Sequence, residues 1–141
     1  MNAVFIDTWG WITLAISSEH RHLEVLKYYQ DLLKIQTTLF TSDYVMSETM
    51  TLLFKRKHYD EAYKFMSGLF LAIERKKIHL ELISSQRFKE AWELRQRYSD
   101  KPKISFPDLT SMVIMQELGI RSVLTDDDHF LHVGMGFNKV P

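Results

Sequence analysis

The sequence predicts an α/β protein, a three-layer sandwich in which helices flank a mainly parallel central sheet. Three observations predict it. Short β-rich apolar runs recur along the chain, the first of them without a polar residue, as expected of a strand buried on both faces of a parallel sheet. Amphipathic stretches of helical period lie between them. The 141 residues, 45% hydrophobic and 26% charged, are enough to pack one core spanning 1–141 and leave no room for a second domain.

In chain order, Ala3-Val4-Phe5-Ile6 is the first strand, and the chain turns helical after Asp7. From about His22 to Thr37 the spacing is helical, with Leu23, Leu26, Tyr29 (or Tyr28) and Leu33 on the inner side. Thr38-Leu39-Phe40-Thr41 is the second strand. Thr41, Ser42 and Asp43 offer N-cap side chains to a long helix ending near Lys57. A further helix runs from Tyr59 to about Lys76, and His79 to Ile83 is the third strand. Ser84 and Ser85 cap a helix reaching Tyr98. The stretch from Ser99 to Lys103 is a polar loop. A helix from about Phe106 to Leu118 stops at Gly119, a residue suited to the left-handed C′ position. Ser122 to Thr125 is the fourth strand, and Phe137 to Val140 is a fifth at the edge.

Composition narrows the function. Eighteen Lys plus Arg balance eighteen Asp plus Glu, which excludes a surface basic all over but allows a local basic patch. There is no cysteine, so disulfide scaffolds, thiolate zinc sites and thiol nucleophiles drop out, in keeping with a reducing cytoplasm. The N-terminal MNAVFIDTWGW lacks a basic leader and is interrupted by Asp7, so it does not read as a signal peptide. No apolar window reaches the roughly 18 residues of a membrane span. A soluble, cytoplasmic protein is expected.

Four carboxylates stand out by their neighbours. Asp7 directly follows the first strand and Asp127 follows the fourth, so both point to the crevice beyond the carboxyl ends of parallel strands. Taken singly, each is also an ordinary loop aspartate. Glu48 has Val45, Leu52 and Leu53 as helical neighbours, which sets it on or near an apolar stripe. A carboxylate buried there needs a metal or a cationic partner, unless it sits at the stripe's edge. Asp108 lies three residues after Ser105, where it completes a capping box and is aimed by the first turn of a helix. Hard divalent ions take carboxylate oxygens in near-octahedral geometry. In phosphodiester cleavage they activate water and stabilise the leaving oxygen, so no side-chain nucleophile is needed.

The order of these motifs resembles the PIN-domain nucleases. The matching segments are Phe5-Ile6-Asp7-Thr8, Ser47-Glu48, Ser105-Phe106-Pro107-Asp108 and Thr125-Asp126-Asp127-Asp128-His129-Phe130, with Gly136-Phe137 closing. The resemblance implies a PIN-like fold and an endoribonuclease dependent on Mg²⁺ or Mn²⁺, most often the toxin of a VapC-type toxin–antitoxin pair. It further implies an RNA substrate, a small antitoxin partner and a homodimer. By position, Asp7, Glu48, Asp108 and Asp127 become the catalytic, metal-binding acids. Thr8, Ser105 and Thr125 become the groups that orient them. The acid after the fourth strand is Asp127 by its distance from Phe130, with Asp126 the other choice. Position 9 departs from the family's small polar residue. Trp9 either narrows an RNA channel or stacks on a base. The alternative is a non-catalytic RNA- or protein-binding relative, in which at least one of the four acids should have been lost.

Other features carry less. His129 and His132 are three apart, but no HExxH or comparable zinc set accompanies them. Lys55-Arg56-Lys57-His58 reads as a solvated helix end or a phosphate contact. Lys101 and Lys103, near Asp108 in sequence, are better candidates for RNA. Phe65, Met66, Leu69, Phe70 and Ile73 form a wide apolar face that serves the core, with any surplus open to a dimer or an antitoxin helix. A haloacid-dehalogenase-like phosphatase would need an acid two residues after Asp7, where Trp9 stands.

Overall fold

The computed structural model describes residues 2–141. Its sheet has five strands: β1 (Ala3–Ile6), β2 (Thr38–Ser42), β3 (Ile78–Glu81), β4 (Ser122–Leu124) and β5 (Asn138–Val140). They lie in the order β3-β2-β1-β4-β5, and every neighbouring pair is parallel. Central β1 is buried along its whole length, which is why its sequence carries no polar residue.

Helices fill every crossover. Between β1 and β2 come α1 (Thr8–Ala15) and α2 (His22–Lys34), and between β2 and β3 come α3 (Asp43–Arg56) and α4 (Tyr59–Glu74). These crossovers step the same way along the sheet, and α1, α2, α3 and α4 pack on one another. The return from β3 to β4 reverses direction, so right-handed connection sends its helices α5 (Ser85–Arg97) and α6 (Phe106–Leu118) to the other face. The short α7 (His129–His132), unexpected from the sequence, precedes β5. β1 and β4 are thus adjacent strands whose connections leave in opposite directions. Their carboxyl ends open on the crevice where ligands bind in such sheets.

The caps follow the sequence. Ser42 Oγ accepts from the Val45 N–H (3.1 Å), and Ser84 and Ser105 cap α5 and α6 in the same way. Gly119 ends α6 at φ 70°. Two helices without a terminal glycine end earlier than their spacing predicts. α2 stops at Lys34 rather than Thr37, and α4 at Glu74 rather than Lys76. In each, a non-glycine residue takes the left-handed position, Gln36 at φ 56° and Lys76 at φ 59°. The following amide then bonds back into the last turn, Thr37 N–H to Leu32 O and Lys77 N–H to Ala72 O.

The inner face of α2 is also rotated from expectation. Val25 and Leu32 are buried, Leu26, Tyr28 and Tyr29 half-buried, and Leu23 and Leu33 exposed. Its apolar residues wrap around enough of the helix to support two registers, and packing selected the other one. β3 starts one residue before His79 and stops short of Ile83, while Thr125 and Phe137 fall just outside β4 and β5. On α4, Met66 and Leu69 enter the core and Phe70 stays exposed.

Two contacts fix α1 against the sheet. A Cβ at Gly10 would lie 3.0 Å from Ile6 Cγ2, Leu124 Cγ and the Leu124 carbonyl oxygen, so only glycine allows this close approach. The buried Trp11 Nε1 donates to Thr41 Oγ1 (3.1 Å), which donates in turn to Ile6 O (3.0 Å), tying α1, β2 and β1 together. Among the described residues no helix is long and apolar enough to cross a membrane.

Candidate active site

A cleft of about 660 Å³ opens beyond the carboxyl ends of β1 and β4, and Asp7, Glu48, Asp108 and Asp127 all line it. Asp7 sits at the N-cap of α1 but does not cap it. Its backbone N–H donates to Leu124 O (3.2 Å), extending the β1–β4 ladder by one residue. Its Oδ2 accepts from Thr125 Oγ1 (2.9 Å), a residue 118 positions away. Asp7 is only 6% exposed. Burial, then the nearby Asp108 charge, raises its pKa to about 7.

Asp108 stands in the first turn of α6, where its N–H donates to Ser105 Oγ (3.3 Å). No reciprocal bond from its carboxylate to the Ser105 N–H completes the capping box among the described residues. The carboxylate lies instead in the cleft, 3.6 Å from His129 Nδ1. Burial, then the charge of Asp127, raises its pKa to about 6. Asp127 is held by both neighbours in its loop. Its N–H donates to Thr125 Oγ1 (3.1 Å), and its Oδ1 accepts from the His129 N–H (2.8 Å). Thr125 therefore links two acids through one hydroxyl, donating to Asp7 and accepting from Asp127.

Glu48 takes the second of the two placements its sequence allows. It is exposed rather than buried, at the edge of the apolar stripe of α3, yet it borders the cleft closely enough to push the Asp7 pKa upward. Asp126 also lines the cleft but is exposed and accepts from Arg21 Nη1 (3.0 Å), while Asp127 is the acid grouped with Asp108. Thr8 and Ser105 line the cleft, and the buried Thr8 Oγ1 has no hydrogen-bond partner. Trp9 and Lys103 are on its rim, with the Arg21 guanidinium 5.2 Å from the Trp9 ring centre. Lys101 lies outside the cleft, bound to Asp100 (2.8 Å) in an adjoining hollow.

The site holds residues the sequence reading did not select. His129 lies with Asp108 and Asp127, each offering one ligand atom within 4.8 Å of the others. Its place between Asp127 and Phe130 was visible, but a four-residue helix has no period from which to read its direction. Arg56, from the basic run ending α3, reaches the rim and pairs with Glu19.

Chemically, this is a donor set for a hard or borderline divalent cation. Oxygens dominate, and the pKa values of Asp7 and Asp108 are raised by burial first and by a neighbouring carboxylate charge second. The Thr8 hydroxyl and His129 Nδ1 are buried and unsatisfied at the same place. Each of these features is relieved by a cation.

The PIN domain family profile matches residues 4–135. The crystal structure of Mycobacterium tuberculosis VapC20, a toxin that cleaves the sarcin-ricin loop, is similar to this chain with a TM-score of 0.79. The two are 27% identical, and the match covers 98% of each chain. No curated protein matches the sequence.

Proposed function

Since the chain belongs to the PIN-domain family, we propose that it is a metal-dependent endoribonuclease acting as the toxin of a toxin–antitoxin pair. The observation that carries this reading is the meeting of Asp7, Asp108 and Asp127 in one cleft with Glu48 at its edge. Asp7, Asp108 and Asp127 hold the cation, and Glu48 adds charge from α3. A bound Mg²⁺ or Mn²⁺ supplies an activated water and neutralises charge on the scissile phosphate.

The remaining groups orient and bind. Thr125 keeps Asp7 and Asp127 in register, and Ser105 fixes the first turn that carries Asp108. Lys103 and Arg56 on the rim meet phosphates, and Trp9 offers an aromatic edge to a base. The substrate is single-stranded or looped RNA.

An antitoxin has a candidate seat away from the cleft. An apolar groove of about 560 Å³ between α1, α2 and α4 is lined by Trp11, Leu14, Leu26, Tyr29, Phe65 and Leu69, and suits the apolar face of a helix. Exposed Tyr59 and Tyr63 on α4 are available to a second copy in a homodimer.

The test is cleavage of RNA by purified protein with millimolar Mg²⁺ or Mn²⁺. EDTA stops it, and Asp7→Asn and Asp108→Asn each abolish it with the fold intact by circular dichroism. Full activity in both variants overturns the reading. RNA binding without cleavage would indicate a non-catalytic relative.

A further inference from the structure

His129 opens α7, and its backbone N–H is committed to Asp127 Oδ1 (2.8 Å), which fixes where the ring can go. Ring Nδ1 lies 3.1 Å from Asp127 Oδ1 and 3.6 Å from Asp108 Oδ2. It is shielded from solvent and makes no hydrogen bond. An imidazole nitrogen buried without a hydrogen bond is costly. The spacing has another meaning. Adjacent ligands on an octahedral ion with bonds just over 2 Å are separated by about 3 Å. Across the same cleft, the hydroxyl of Thr8, 6% exposed, is also buried without a partner.

We propose that His129 Nδ1 is a metal ligand, forming with Asp108 and Asp127 a mixed nitrogen–oxygen site that favours a transition ion such as Mn²⁺ over Mg²⁺. The inference rests on the metal-dependent reading of the cleft and adds to it a ligand and a choice of ion. Mg²⁺ keeps oxygen ligands and waters, whereas neutral imidazole binds first-row transition ions well. The nitrogen therefore strengthens Mn²⁺ binding while doing little for Mg²⁺.

Pulsed electron paramagnetic resonance of Mn²⁺ bound to the full chain tests this without reference to activity. A nitrogen coupling is expected that changes when the histidines carry ¹⁵N. His129→Asn should lose the coupling and weaken Mn²⁺ binding about tenfold or more, with the Mg²⁺ affinity nearly unchanged. His132→Asn should keep it. The labelled wild-type protein gives the result even if His129→Asn folds poorly. Bound Mn²⁺ without nitrogen coupling overturns the role of His129 and leaves the carboxylate site standing. Failure of the wild type to bind Mn²⁺ or Mg²⁺ overturns both.

Discussion

Asp7 meets three demands at once. It ends the central strand, accepts the Thr125 hydroxyl, and lies buried near Asp108 and Glu48. In the metal-free protein its carboxyl titrates at about 7, against about 4 in an unfolded chain. Between those values the folded state holds a proton that the unfolded state has released. Stability therefore falls as pH rises from about 4 to about 7 and levels off above, at a cost of roughly 4 kcal/mol. Asp7→Asn lacks this loss, so in EDTA at pH 8 it should melt above wild type, with the gap closing near pH 4. Mn²⁺ should raise the wild-type melting temperature and raise that of Asp7→Asn by less. Thr125→Val keeps the shape but strands the Asp7 carboxyl and the Asp127 N–H, and should cost about 1–3 kcal/mol in urea unfolding. Asp7, Asp108 and Asp127 were legible because a strand end or a helix cap announces where such a residue points. Glu48 was legible only to within two placements, buried on the apolar stripe or at its edge, and the helix phase set it at the edge. Lys101, chosen for its closeness in sequence to Asp108, lines an adjoining hollow rather than the cleft itself.

The elements are exact where the site needs them. α1 comes so near the ends of β1 and β4 that Gly10→Ala forces a methyl against the Leu124 carbonyl. That substitution should cost about 1–3 kcal/mol and disturb Asp7, so metal affinity should fall together with the denaturation midpoint. The ends of α2 and α4 offer the opposite case. Lys76 is exposed and left-handed, so Lys76→Gly should stabilise the chain by about 0.5–1 kcal/mol, read as a higher urea midpoint with metal binding unchanged. The sequence showed the α6 terminus through Gly119 and hid these two, because Gln36 and Lys76 carry no mark of the conformation that packing imposes. The same limit applied to the face of α2, where Val25 and Leu32 were chosen over Leu23 and Leu33 by the neighbouring layer.

At the scale of the molecule, the layered architecture was the most legible property: five short strands with helices between them lead to a parallel sheet. The order β3-β2-β1-β4-β5 was not readable from local pattern, because pairing of β1 with β4 depends on which face each crossover takes. Charge is arranged as an acidic cleft with a sparse cationic rim in a chain of zero net charge. RNA binding should accordingly respond mildly to salt, with Lys103→Ala reducing the log–log slope by about 0.7. The pairing of β1 with β4 also has a consequence in time. Asp7 is made 118 residues before Thr125, an interval of roughly 6–24 s at translation rates of about 5–20 residues per second. During that interval the ribosome holds a growing chain with its first acid and neither Thr125 nor Asp127. The cleft proposed to hold the cation therefore cannot close until β4, a strand beside β1, has been made.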